Sequence, residues 1–515
     1  LSRAESQAVH QNAVKFRTKI LLVLVFLVIL GFILLLPGHR YQDALKAYKQ
    51  QLLAKGEKLT MVELAPQPHT NAFNGARALL DLMTSNQAPS DYPAMMKIVA
   101  PGLAAIGSTN IVPAEMLSYE RNTSTMVKLR KILEMPVLDF NLNYSLGPQV
   151  GAALFPELSY LKKAELLPAM TAMQALYMKD YSEARLDLIA AADLVRLDTN
   201  EPLMISDLVR CAMANIAFGA TWEGLQRGEW TDPQLVELQS VWQRLNMFKN
   251  CEAAVPMERA WGLAELAEIR ATNASPYGVW PGPAFSISVP SSGGGALANL
   301  QDKLKELYDR YPRFWRWKSS WSYEEELCDL QIEDATLESA RLANTTGAFV
   351  PAIWKFNQTA SNIDQLHPDA TNHFLFSDPT GQSYGRYLLK LAEVETGRHL
   401  TVTAIALKRY HLQHSTYPTA LSDLVPVYLA DVPLDFMDGK PLRYKLRPDG
   451  DFLLYSVGED GVDNGGDPTP VPPASSSSFN WRTGRDIVWP RVATPAALEE
   501  YHRQSQANTN VPDNH

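Results

Sequence analysis

Val432-Pro-Leu-Asp-Phe-Met-Asp-Gly-Lys-Pro-Leu-Arg-Tyr444, followed by Leu454-Tyr-Ser-Val-Gly-Glu-Asp-Gly461 and later by Asp486-Ile-Val-Trp489, is the stretch that decides the fold. Leu442, Tyr444 and Leu446 alternate with Arg443, Lys445 and Arg447, the two-residue period of a strand with one buried face. Pro448-Asp-Gly450 supplies turn chemistry, and Phe452 to Val457 reads as the returning strand. Upstream, Gln382 to His414 carries Leu388, Leu391, Val394, Leu400, Ala404 and Leu407 at helical spacing. Tyr417-Pro418-Thr419 follows this run and leads into Leu421-Ser-Asp-Leu-Val425. A sheet with one apolar face must cover it, and the long helix is at hand, so 382–492 is predicted to be an α+β module with a small antiparallel sheet.

The order of these pieces resembles the globular end of the major pseudopilin of type II secretion systems. In that family a long helix enters a Tyr-Pro turn. A Pro-x-Asp-x-x-Gly-x-Pro-x-x-Tyr segment comes next, then a strand ending in Ser-x-Gly-x-Asp-Gly, and a late Asp-Ile closes a calcium loop. The resemblance covers roughly a fifth of the chain and speaks to fold more than to function. It implies calcium as cofactor, with Asp460 and Asp486 at the matching positions and Asp463 or Asp467 in the middle ligand role.

The acidic loop also reads on its own. Glu459, Asp460, Asp463 and Asp467 crowd together with no Lys or Arg among them, and Gly458, Gly461, Gly465 and Gly466 allow tight turns. Carboxylates this close repel unless a cation gathers them, and calcium takes 6–8 oxygens in flexible geometry. The alternative is a loop that is merely solvated. Thr469 to Ser478 inserts a Pro- and Ser-rich stretch before Asp486.

Outside the module the chain divides by composition. Residues 1–19 read as a cytoplasmic tail and 20–37 as a transmembrane helix. Ile20 to Leu36 is apolar except at Gly31, about 25 Å of helix, behind Lys15, Arg17 and Lys19. A cleaved signal peptide is the competing reading. Pseudopilins open their helix with a processed Gly-Phe/Met and a Glu shortly after it; Lys19-Ile-Leu-Leu-Val-Leu-Val-Phe26 has neither. Residues 38–273 read as an α-helical, repeat-like domain. Leu166–Tyr177 pairs with Ala184–Leu197, for which Ser182 is the expected N-cap, and Ile205–Leu225 pairs with Gln234–Leu245, opened by the capping box Thr231-Asp-Pro-Gln234. Residues 274–297 form a Pro/Gly/Ser-rich loop and 298–381 an aromatic-rich helical segment, whose Phe349 to Thr380 is expected to be mostly loop. Residues 493–515 are a polar tail.

Trp315, Trp317 and Trp321 are candidate partner-binding residues, since aromatic side chains anchor partners and stack on sugars. Alternatively Phe314, Trp317 and Trp321 share a helical face and fill a core. The three cysteines, Cys211, Cys251 and Cys328, have no metal-ligand spacing. A net charge of -9 disfavours a nucleic-acid surface. No P-loop, nucleophile elbow or His-Glu-x-x-His stands in the sequence.

The expected protein is mainly α, single-pass in a bacterial inner membrane, with its bulk in the periplasm. Its partners are the lipid bilayer and other envelope proteins, in homo- or hetero-oligomers, with no nucleic acid. The expected role is an accessory or scaffold in a secretion- or pilus-like assembly. The alternatives are a periplasmic glycan- or peptide-binding protein and an envelope hydrolase.

Overall fold

The computed structural model describes residues 40–69, 73–85, 123–197, 201–227, 229–272, 316–368, 374, 381–469 and 485–492. The chain is mainly helical, with one small antiparallel sheet. Among the described residues no helix is long and apolar enough to cross a membrane. The Ile20–Leu36 run lies outside them, as do the 274–297 loop and the 493–515 tail.

Two compact units emerge. The larger draws on Thr60–Trp261, Glu333–Thr359 and Gln382–His515, the smaller on Leu1–Leu59, Gly262–Ile332 and Ala360–Gly381. The larger unit holds α1 (Ala76–Thr84), α2 (Thr123–Leu133), α3 (Val150–Tyr177), α4 (Tyr181–Leu197), α5 (Met204–Arg227) and α6 (Asp232–Arg244). Helices α7 (Cys251–Thr272), α8 (Ser322–Thr346) and α9 (Phe349–Leu366) each contribute a part to both units. The long helix α10 (Gln382–His414) and strands β1 (Arg443–Leu446), β2 (Phe452–Ser456) and β3 (Ile487–Val488) belong to the larger one.

Helix α5 is the centre of the larger unit. Its buried residues, among them Met213, Ile216, Phe218, Trp222 and Leu225, point in every direction, as they must in a helix with neighbours all round. It packs on α3, α4 and α10, while α6 packs on α4 and α10. Gly397 on α10 makes one close approach possible: a Cβ there would meet the Phe218 ring at 3.1 Å. Helix α10 is buried over most of its length, from Tyr387 to Arg409.

Three local readings change. Helix α3 starts at Val150 rather than Leu166 and runs through Pro156 and Pro168; flanking helices bury it, so packing outweighs the lost backbone donors. Helix α4 starts at Tyr181, one residue before the expected cap Ser182. Asp180 Oδ1 accepts the Glu183 N–H at 3.2 Å and caps it instead. The Phe349–Thr380 stretch, expected to be mostly loop, contains α9, whose buried Phe349, Ala352, Phe356, Ala360 and Ile363 follow a three-four spacing. At α6 the Thr231 N–H donates to Gln234 Oε1 at 2.9 Å, one half of the expected capping box.

In the smaller unit, Leu45 and Leu52 from the helical stretch 40–54 pack with Leu327 and Leu330 of α8. Glu326, almost fully buried, is paired with both Lys49 and Arg270, the arrangement a buried carboxylate requires. Cys211, Cys251 and Cys328 are buried and unpaired, and burial pushes all three thiols upward.

Candidate functional site

The sheet has the order β1-β2-β3, with both pairs antiparallel. Tyr444 faces Leu454 across the first pair, and Ser456 faces Ile487 across the second. The alternation predicted for the hairpin holds at Leu442, which is buried, and fails at Leu446, which is 40% exposed beside the turn.

Asp435, fully buried, organises this end of the molecule. Its carboxylate accepts from the Ser456 hydroxyl at 2.7 Å, the Met437 N–H at 2.9 Å and the Val457 N–H at 3.0 Å. Arg443 Nη1 donates to it at 3.1 Å, and Arg443 Nη2 reaches Asp438 at 2.6 Å. Burial pushes the Asp435 carboxyl above its ordinary value against these hydrogen bonds. Asp438 is also raised by burial, but the Arg443 guanidinium more than offsets this and holds it below the usual range. The sequence reading contained Asp435 within its Pro-x-Asp motif without assigning it a role. The available signal was a lone acid between Leu434 and Phe436, where burial demands partners.

The acidic loop leaves β2 and is closed by backbone bonds: Asp486 N–H to Asp467 O and Arg485 N–H to Thr469 O, both at 2.9 Å. Gly461, in the left-handed region, tucks beside Val350 of α9, where a Cβ would meet Val350 at 3.1 Å. The loop thus sits on the first turn of α9. The same turn donates its Phe349 and Val350 N–H groups to Phe436 O and Met437 O, both at 2.8 Å. These amides have no acceptor within their own helix, so a segment distant in sequence caps α9.

Each expected metal ligand occupies its own donor set. Asp486 is buried, and its carboxylate accepts three backbone N–H groups, from Gly466 at 2.7 Å, Asp467 at 2.9 Å and Asn464 at 3.3 Å. Burial raises its carboxyl against these bonds. Asp463 accepts from the Gly465 N–H at 3.0 Å and the Tyr455 hydroxyl at 2.8 Å, which hold it below its ordinary value. Asp467 accepts the Thr469 hydroxyl at 2.6 Å and the Thr469 N–H at 3.0 Å, and is likewise lowered. Asp460 accepts the Val462 N–H at 2.9 Å. Among the described residues no three His, Cys, Asp or Glu side chains group as a metal centre would require. In this arrangement the residues do not fit calcium through Asp486: a carboxylate ringed by N–H donors offers a cation partial positive charge where it needs oxygens.

The aromatic run divides. Trp317 is fully buried against Leu266 and Ile269 and donates its indole N–H to Glu325, so its ring is committed to the core of the smaller unit. Trp321 packs on that cluster, with the Arg316 guanidinium 5.1 Å from its ring centre. Trp315 lies outside the described residues.

The module is joined to the helical part of its own unit through buried polar contacts. Arg409 of α10 donates to Asp232 at 2.7 Å and to Gln239 Oε1 at 3.0 Å, and Gln239 Nε2 donates to Tyr428 O at 2.8 Å. The Trp222 indole N–H donates to Pro490 O at 2.9 Å, just beyond β3. Chemically, this arrangement fixes the shape of a loop and presents Glu459 and Asp460 at its exposed tip.

Comparisons with protein-family models, with curated proteins and with solved structures find no match for the chain.

Proposed function

We propose that this chain is a membrane-anchored accessory or scaffold protein of a bacterial envelope assembly of secretion or pilus type, its bulk in the periplasm, and that it acts by binding partners rather than by catalysis. One observation carries the reading. A long helix leads, through the Tyr-Pro turn, into a three-stranded antiparallel sheet braced at the Asp of the Pro-x-Asp segment. The elements stand in the order that the pseudopilin resemblance implies. The apolar Ile20–Leu36 run behind a basic flank supports the anchor. Calcium has no necessary part in this reading, because Asp435 and Asp486 brace the module with protein donors alone. Burial of Trp317 removes one ring from the glycan-binding alternative.

The test is affinity purification of the full chain from gently solubilised membranes, with identification of what accompanies it. Inner-membrane components of a secretion or pilus machine are the expected result. Recovery of the chain alone, or a reporter fusion placing its C-terminal end in the cytoplasm, would overturn the proposal.

A further inference from the structure

A groove of about 530 Å³ opens in the larger unit between α1 and α2. Its volume falls within the range of small-ligand sites. Ala78, Asp81 and Leu82 face it from α1 at three- and four-residue spacing, and Lys128, Lys131 and Ile132 face it from α2 in the same way. Met135, just past the end of α2, continues that face, its N–H donating to Ile132 O at 3.0 Å. The two helices are pinned where α1 begins. The Gly75 N–H donates to Val137 O at 2.9 Å, and a Cβ on Gly75 would meet the Ile132 side chain at 2.9 Å. Leu79 and Met83 of α1 and Met126 and Leu129 of α2 are buried and hold the pair in the core. The walls of the groove are therefore preformed, and a guest does not have to order them.

Apolar and charged side chains divide by depth. Leu82 and Ile132 are buried at the floor, with half-buried Met135 and the small side chain of Ala78 beside them. Among the described residues no aromatic ring lines the groove. Asp81, Lys128 and Lys131 are exposed at its mouth. Asp81 is paired at 3.1 Å with Arg77, which is not part of the lining. Lys131 has no carboxylate partner among the described residues. Two lysines thus stand against one aspartate that already has its own arginine, so the mouth is net positive above an apolar floor.

We infer that the groove binds a free medium-chain fatty acid, its alkyl chain laid on Ala78, Leu82, Ile132 and Met135 and its carboxylate at Lys131. A floor of aliphatic and methionine side chains attracts a saturated chain through the hydrophobic effect, with no polar group left to satisfy. The flexible Met135 thioether adapts to such a chain. From Lys128 to Met135 the α2 face runs for about 10 Å, which a medium-length chain covers while its head stays at the lysines. The lysines select the head: a carboxylate is attracted, a neutral head gains nothing and a cationic head is repelled.

The test is photo-crosslinking of the full chain, in gently solubilised membranes, with decanoic acid carrying a diazirine at its far end. Labelled peptides are mapped by mass spectrometry, so probe taken up by detergent does not obscure the site. Label should fall on α1 and α2. Plain decanoate should displace it, and decyltrimethylammonium, with the same chain and a cationic head, should do so at least about tenfold less well. The double variant Lys128→Gln, Lys131→Gln changes only exposed side chains and should keep the melting temperature of the ligand-free protein. Its affinity for the probe should fall about fivefold, as expected for losing exposed ion pairs. Ala78→Trp, also at an exposed position, fills the groove and should abolish labelling there. Label confined to other parts of the chain, equal displacement by the two amphiphiles, or labelling of α1 and α2 that both variants retain in full would overturn the inference.

Discussion

Asp435 and Ser456 are separated by a hairpin in sequence, yet the Ser456 hydroxyl donates to the Asp435 carboxylate at 2.7 Å with both residues fully buried. This bond ties the Pro-x-Asp segment to the end of β2, immediately before the acidic loop. Replacing Asp435 by Ala leaves the Ser456 hydroxyl and two backbone donors without their acceptor and removes one of the two carboxylates that pair with Arg443. Breaking such a buried pair costs about 3–5 kcal/mol. Asp435→Ala should therefore lower the denaturant midpoint sharply, and Ser456→Ala by about 1–3 kcal/mol. Equal midpoints for Asp435→Ala and wild type would remove Asp435 from its organising position.

The acidic loop gives a prediction about metal. Because Asp486 already accepts three backbone N–H groups, chelator should leave the melting temperature of the full chain unchanged. Asp486→Ala should speed hydrogen exchange at the amides of Asn464, Gly466 and Asp467. A melting temperature that drops with chelator and returns with millimolar calcium would mean that the loop rearranges around the ion.

Helix α10 is buried by α5 and α6 as well as by its own sheet. A fragment spanning Gln382 to Val492 should consequently be poorly folded when expressed alone. Within the full chain, Trp222→Phe leaves Pro490 O without its donor and puts a smaller ring in a fully buried site. Its expected cost is about 1–3 kcal/mol in equilibrium unfolding. A soluble fragment with sharp, dispersed amide resonances would show that the module is independent of the helices it packs on.

Glu223 on α5 supplies a pH dependence. Burial raises its carboxyl from 4.5 to about 7, although Arg227 donates to it at 3.1 Å. The folded form holds its proton more tightly than the unfolded one. The associated stability is complete below about pH 4.5 and is lost as pH rises through about 7. The melting temperature of Glu223→Gln, measured relative to wild type, should therefore be higher at pH 8 than at pH 5. The opposite trend would place a charged, well-paired carboxylate at this position.

Much of the secondary structure was legible because it depends on local periodicity. Helix α10 was read from its apolar spacing, α6 from Thr231 and its capping partner Gln234, and the hairpin from alternation around Pro448-Asp-Gly450. Helix α9 was not legible. Its first amides are capped by Phe436 and Met437, which a sequence window around Phe349 does not contain. Trp317 divided in the same way: helical spacing allowed both a core and a partner surface, and only the neighbouring Leu266 and Ile269 chose the core.

The acids of the candidate site mark the boundary most clearly. The sequence by itself determined that Asp460, Asp463 and Asp467 come close together around flexible glycines, because chain connectivity limits how far they can separate. Tertiary structure decided what each one faces. Asp486 meets backbone N–H groups because β3 pairs with β2 and carries it beneath the loop. Asp435 becomes buried because Arg443 and Ser456 converge on it from different strands. A carboxylate accepts from whatever donors the fold delivers, and in this chain those donors come from residues some twenty positions away or more as well as from near neighbours, a distance at which local pattern carries no information.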